Sequence, residues 1–101
     1  MQQISRNANI ALTGAQSDKI SEAKVGTQRL VIVVTNLNAA GGASCWLSCG
    51  AEAANGFGIQ LAAGQSMSFS KDAGYSPSND TWNAFAAAGG TNLAVYEEVL
   101  A

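Results

Sequence analysis

Apolar and polar residues alternate with a period of two along most of this chain. From Gln2 to Leu12 the alternation sets Ile4, Ala8, Ile10 and Leu12 on one face, with Arg6 interrupting it, and Thr13-Gly14-Ala15 reads as a turn. Ser17 to Val25 fits either a short capped helix or an extended edge strand blunted by charges; the extended reading is preferred. The run Arg29-Leu30-Val31-Ile32-Val33-Val34-Thr35-Asn36 is β-branched and apolar on both faces, as a fully covered central strand would be. One face of a two-layer sandwich normally meets solvent, so this strand predicts a partner surface on its outer side.

After a small-residue loop over 38–44, Cys45-Trp46-Leu47-Ser48-Cys49 reads as a strand closed by Gly50, and 51–58 as a loop. Gly58 to Leu61 is a short strand, Ala62 to Gln65 a tight connection, and Ser66 to Ser70 alternates cleanly. Lys71 to Asp80 holds the only proline, Pro77, and reads as an exposed excursion. Asp80 to Ala87 is a strand, Ala88 to Asn92 a turn, and Leu93 to Leu100 a last strand. In that strand Leu93, Val95 and Val99 lie on one side, Tyr96 and Leu100 on the other.

Seven to eight short strands punctuated by Gly, Asn and Ser predict an all-β fold, a single-domain antiparallel β-sandwich that is jelly-roll-like or Ig-like. Residues 1–12 would be an N-terminal arm or an edge strand. Ile59, Leu61, Met67 and Phe69 are expected to fill one inner face. Leu30, Ile32, Val34, Cys45, Leu47 and Cys49 would fill the other.

Composition adds one strong fact. Only 12% of the 101 residues are charged, against about 25% in an average domain. Ser, Thr, Asn, Gln and Gly fill the polar positions instead, a surface that costs little to desolvate and suits assembly. The basic residues Arg6, Lys19, Lys24, Arg29 and Lys71 are scattered and net charge is −2, so phosphate-driven nucleic-acid binding is excluded. The first residues lack the charged and apolar regions of a secretory signal, and the longest strongly apolar run, Leu30 to Val34, is too short to span a bilayer. The expectation is a soluble protein made in the cytoplasm, without a membrane partner.

Candidate chemistry is sparse. The chain has no histidine, which removes Ser-His-Asp and Cys-His mechanisms. Glu97 and Glu98 are adjacent in a strand and point to opposite faces, so they cannot act together as an acid/base pair. Gly56-Phe57-Gly58 lacks the lysine and the following helix of a phosphate cradle. In an extended Cys45–Cys49 segment the Cα atoms would lie about 13 Å apart, beyond the roughly 7 Å that a disulfide tolerates. The two thiols therefore read as small core residues, and two thiols alone do not complete a zinc site. The reading is no enzyme, no cofactor and no metal. Trp46, Trp82 and Tyr96 read as core and interface aromatics rather than a sugar platform. Arg29 is expected to fix a strand end by hydrogen bonds to carbonyls or a carboxylate.

Between Ala23 and Glu97 these elements follow a recognisable order. Arg29-Leu30-Val31-Ile32-x-x-Thr35-Asn36 precedes a short strand ending in glycine and then Asn55-Gly56-x-Gly58-Ile59-x-Leu61-x-x-Gly64-x-Ser66. A Trp-containing strand follows, then Gly90-Thr91-x-Leu93-x-Val95-x-Glu97. The chain resembles the small β-sandwich domains of bacteriophage virion proteins, used as capsid decoration, cement or head-spike modules. That resemblance implies a non-enzymatic structural protein on the capsid surface, bound to the major capsid protein lattice as a homo-oligomer, commonly a trimer. Two alternatives accompany it. One is a carbohydrate- or receptor-binding spike tip using Trp46 or Trp82 and the 71–80 segment. The other is a pentameric vertex protein, ranked lower because an eight-stranded jelly roll is tight at this length. The candidate interface residues are Ile4, Arg6, Ile10, Leu12, Val31, Val33, Trp46 and Tyr96. If residues 1–12 are an arm, deleting them should weaken capsid binding and leave the sandwich folded.

Overall fold

The computed structural model describes residues 3–22, 28–39, 41–54, 56–70, 80–87 and 91–100. Of the excursion expected at 71–80 only Asp80 is among them, and the glycines of the 88–90 turn, Asn55 and the 23–25 end of the second segment lie outside them. Eight strands form in chain order: β1 (Gln3–Ala11), β2 (Gln16–Ser21), β3 (Gln28–Asn36), β4 (Cys45–Cys49), β5 (Ile59–Leu61), β6 (Ser66–Ser70), β7 (Trp82–Ala86) and β8 (Asn92–Leu100). They make two antiparallel four-stranded sheets, ordered β1-β8-β3-β6 (sheet A) and β2-β7-β4-β5 (sheet B). The pairs β4–β5, β3–β6, β2–β7 and β1–β8 are nested, as if one long hairpin had been rolled up. This is the strand order of a jelly roll. All eight strands fit because β4, β6 and β7 have five residues each and β5 only three.

The β-branched run forms β3, held between β8 and β6 in the middle of sheet A. Its inward residues Ile32 and Val34 join Leu93 and Val95 of β8, with Met67 and Phe69 of β6 packed alongside. Sheet B supplies Cys45, Leu47, Leu61, Ala84, Ala86 and Trp82. The expected partition of the core is therefore wrong in three respects. β6 lines the same sheet as β3, while Cys45 and Leu47 share theirs with Leu61. Ile59 is 37% exposed at the sheet B edge, and Leu30 is half-buried at a bulge rather than in the core. Burying a side chain such as Leu47 completely stabilises the fold by about 1.5–3 kcal/mol.

Both thiols are free; Cys45 is buried and Cys49 packs against the core from its margin. Burial pushes the Cys45 thiol up to about 11. Trp82 lies 5.8 Å from Phe69, ring to ring, and is 4% exposed. Gly58 has φ +91, and a Cβ there would collide with the Leu47 carbonyl oxygen. Only glycine lets β5 approach β4 this closely.

At one end of the sandwich Asn36 ties the sheets together. Its Nδ2 donates to the carbonyls of Ala43 and Leu61 at 3.0 Å each, and its Oδ1 accepts the Asn38 N–H. The opposite end is ionic.

Candidate interaction surfaces

The ionic end is built by two irregularities. In β3 the pairing with β8 steps from Arg29–Val99 to Val31–Glu98, leaving Leu30 as the extra residue of a bulge. Without that insertion Arg29 would share the outward face of Val31 and Val33. With it, Arg29 turns inward and is fully buried. In β2 the register against β7 slips between Lys19 and Ser21, so Ile20 and Ser21 are both buried.

The two redirected residues meet Glu97, which strict alternation along β8 already aims inward at 0% exposure. Glu97 Oε2 accepts from Arg29 Nε at 2.7 Å and from the Ser21 hydroxyl at 2.6 Å. Oε1 accepts from Arg6 Nε at 2.9 Å and from Arg6 Nη2. Arg29 also donates to the Asp80 and Glu22 carbonyls and to Ser21 Oγ. Arg29 thus holds a strand end through carbonyls and a carboxylate together, the geometry a planar fork of donors permits. The chemistry is that of a clamp across the sheets. The carboxylate is surrounded by donors, and its neighbour Glu98 faces outward.

A groove of about 300 Å³ opens beside this clamp between β1 and β2, lined by Arg6, Lys19, Ile20, Ser21 and Glu22. Its cations are engaged: Arg6 with Glu97, and Lys19 with Glu22 at 3.0 Å. Among the described residues no group of His, Cys, Asp and Glu could hold a metal ion. Likewise, no helix is long and apolar enough to cross a membrane.

The outer face of sheet A reads as three cross-strand rows: Ser5-Glu98-Val31-Ser70, Asn7-Tyr96-Val33-Ser68 and Asn9-Ala94-Thr35-Ser66. Glu98 is the only carboxylate in them, and none carries a cation. Val31, Val33 and Tyr96 are half-buried by their neighbours. Around Ala94 the face sinks into a depression of about 110 Å³ bordered by Asn7, Asn9, Tyr96 and Thr35. The outer face of sheet B has one aromatic row, Ser17-Phe85-Trp46-Gln60. The segment Ala51–Ala54 crosses beside it, pinned by Asn83 Nδ2 to the Ala51 carbonyl and by the Ala53 N–H to Ser17 Oγ.

The structure therefore separates the eight candidate interface residues. Ile4, Arg6 and Ile10 lie along β1, with Ile4 48% exposed. Val31, Val33 and Tyr96 share the outer face of sheet A, and Trp46 lies on the outside of sheet B. Leu12 is 3% exposed in the core and Ile10 packs against that core, so Leu12 is withdrawn as a surface residue. Trp82 is core as well, which removes it from any sugar platform. Residues 3–11 are no free arm: they pair with β8 along their whole length. Deleting 1–12 would remove an edge strand, the Arg6 contact and the buried Leu12, so the sandwich would not stay intact.

Sequence reasoning passed over Phe85 and the pair Asn7 and Asn9. The alternation Trp82-x-Ala84-x-Ala86 already sets Phe85 on the opposite face, beside Trp46 once β4 and β7 are paired. No family model matches the chain, and no curated protein matches it.

Proposed function

We propose that this chain is a non-enzymatic structural protein of a bacteriophage virion, decorating or cementing the capsid by binding the major capsid protein lattice as a homo-oligomer. The observation that carries the reading is the outer face of sheet A. A central strand apolar on both sides presents Val31 and Val33 there, beside Tyr96 and among neutral Ser, Thr and Asn side chains. Such a face is inexpensive to desolvate and has an aromatic anchor near its middle. The ionic residues nearest the core are committed to an internal clamp and leave that face almost uncharged.

Co-sedimentation with purified particles or empty capsids tests the reading. Val33→Glu would place a charge in the centre of the face and should abolish association while the fold melts within a few degrees of the parent. Particle binding unchanged by Val33→Glu and by Tyr96→Ala would refute it.

A second reading has its own observation, the depression around Ala94. Asn7, Asn9 and Tyr96 make no side-chain hydrogen bond among the described residues, leaving amides and a phenol available to a neutral polyhydroxylated ligand such as a glycan. Glycan binding lost on Asn9→Ala, with capsid association absent, would favour it.

A further inference from the structure

The four edge strands are not alike. β5 has three residues, β6 has five, and β2 carries both a bulge and Lys19. These are the devices by which sheets protect their edges from other chains. β1 has nine residues, no proline, no lysine and no register shift against β8, and its one inward-pointing charge, Arg6, is neutralised by Glu97.

Its hydrogen-bond phase can be read from one bond. Leu12 N donates to the Thr91 carbonyl at 2.9 Å, continuing the β1–β8 register. In an antiparallel pair hydrogen-bonded positions alternate, so Ile4, Arg6, Ala8 and Ile10 bond to β8. Gln3, Ser5, Asn7, Asn9 and Ala11 therefore direct their N–H and C=O groups away from the sheet. Among the described residues no strand pairs with this edge, which offers a donor and an acceptor at every second residue.

We propose that β1 pairs antiparallel with β1 of a second copy, across a two-fold axis at Asn7, joining the two A sheets into one. The occupant follows from the register. Only outward-directed positions can pair, so odd residues meet odd residues. Centring on Arg6 would set two arginines directly opposite each other, which destabilises a strand pair. Centring on Ala8 leaves Gln3 unpaired. Centring on Asn7 engages all nine residues: Gln3 meets Ala11 of the second copy, Ser5 meets Asn9, and Asn7 meets itself. On the other side of the strand Arg6 meets Ala8, and Ile4 meets Ile10. The last pair accounts for an isoleucine left 48% exposed, since positions between hydrogen-bonded pairs bring their side chains closest. The Arg6 charge, already held by Glu97, meets only a methyl group.

This pairing does not depend on capsid binding, and its test is separate from that one. The full chain is examined by sedimentation equilibrium. The parent should show a concentration-dependent dimer. Asn7→Lys and Asn7→Asp should each be monomeric, because the axis puts like charges face to face. An equimolar mixture of the two should recover the dimer. Asn7→Pro should also be monomeric yet folded, since the N–H it removes faces away from β8. A parent that stays monomeric, a trimer mass, a dimeric Asn7→Lys or a monomeric mixture would each overturn the proposal. A monomer that still coats particles would overturn this pairing alone; a dimer that ignores them would overturn decoration alone.

Discussion

Replacing Glu97 by glutamine keeps the shape of the side chain and removes its charge. In the parent that carboxylate accepts hydrogen bonds from Arg29, Arg6 and Ser21 at full burial. Glutamine offers one carbonyl oxygen and turns an NH2 group toward donors. Arg29 would remain charged, fully buried and without its carboxylate. Removing one partner of a buried ion pair costs about 3–5 kcal/mol, out of roughly 5–15 kcal/mol for a whole domain. At ~4 °C or more per kcal/mol for a chain of this size, the Tm should fall by at least about 12 °C. A urea titration followed by Trp fluorescence measures the loss directly: the midpoint drops while the slope m stays constant. Replacing both buried charges, Arg29→Met with Glu97→Leu, should be less damaging than Glu97→Gln alone, because no fully buried charge is stranded and Arg6, its side chain 43% exposed, can turn to water. A cost below about 1 kcal/mol, the range of exposed ion pairs, would refute the reasoning. So would a double variant less stable than the single one.

Other outcomes follow from the same structure. Cys45, buried and with its thiol raised to about 11, should alkylate with iodoacetamide only on unfolding, while Cys49 reacts in the native state; mass spectrometry of timed samples distinguishes them. Gly58→Ala adds a collision with the Leu47 carbonyl to a φ of +91, whereas Gly64→Ala at φ +78 meets open space. The second should cost about 1–2 kcal/mol from backbone strain alone and the first clearly more, by denaturant midpoints. Partial burial raises the Asp18 carboxyl, but hydrogen bonds from the Thr13 N–H, Gln16 and the Thr13 hydroxyl outweigh it and leave the value below normal. Its contribution to stability is therefore complete above the unfolded value and is lost as pH falls through the lower folded one. Asp18→Asn should flatten that acid limb of the stability curve and leave its neutral-pH shape unchanged.

The strand pattern was legible because a period of two is a local property. Alternation located the strands, and the doubly apolar run identified the central strand of its sheet. What alternation could not reveal was where it breaks. The bulge at Leu30 inverts the facing of Arg29, and the slip near Ile20 buries Ser21, so the Arg6-Glu97-Arg29-Ser21 clamp has no periodic signature. The sequence shows Arg6 interrupting an apolar face; the structure supplies the carboxylate that makes the interruption tolerable. The assignment of β6 to the sheet of β3 was hidden for another reason. Which strands become neighbours depends on the order in which a ribbon wraps, and no single strand carries that information. Trp46 and Trp82 lie in similar alternating segments, yet one faces outward and the other is core. Their phase relative to Cys45, Leu47 and Ala84 separates them, once those residues are known to face inward.

The nested order of the strand pairs also bears on how the chain reaches this state. β4 and β5 are consecutive in the chain, and once they meet, β3 and β6 are brought near each other, then β2 and β7, then β1 and β8. Each closure after the first spans only the residues added since the previous one, so the entropy of joining distant segments is met in small steps. β1 is the last strand to be laid down in that sequence. Its unprotected edge comes into being only when the apolar interior is already covered, so a folding chain would not offer that edge and its core to neighbours at the same time.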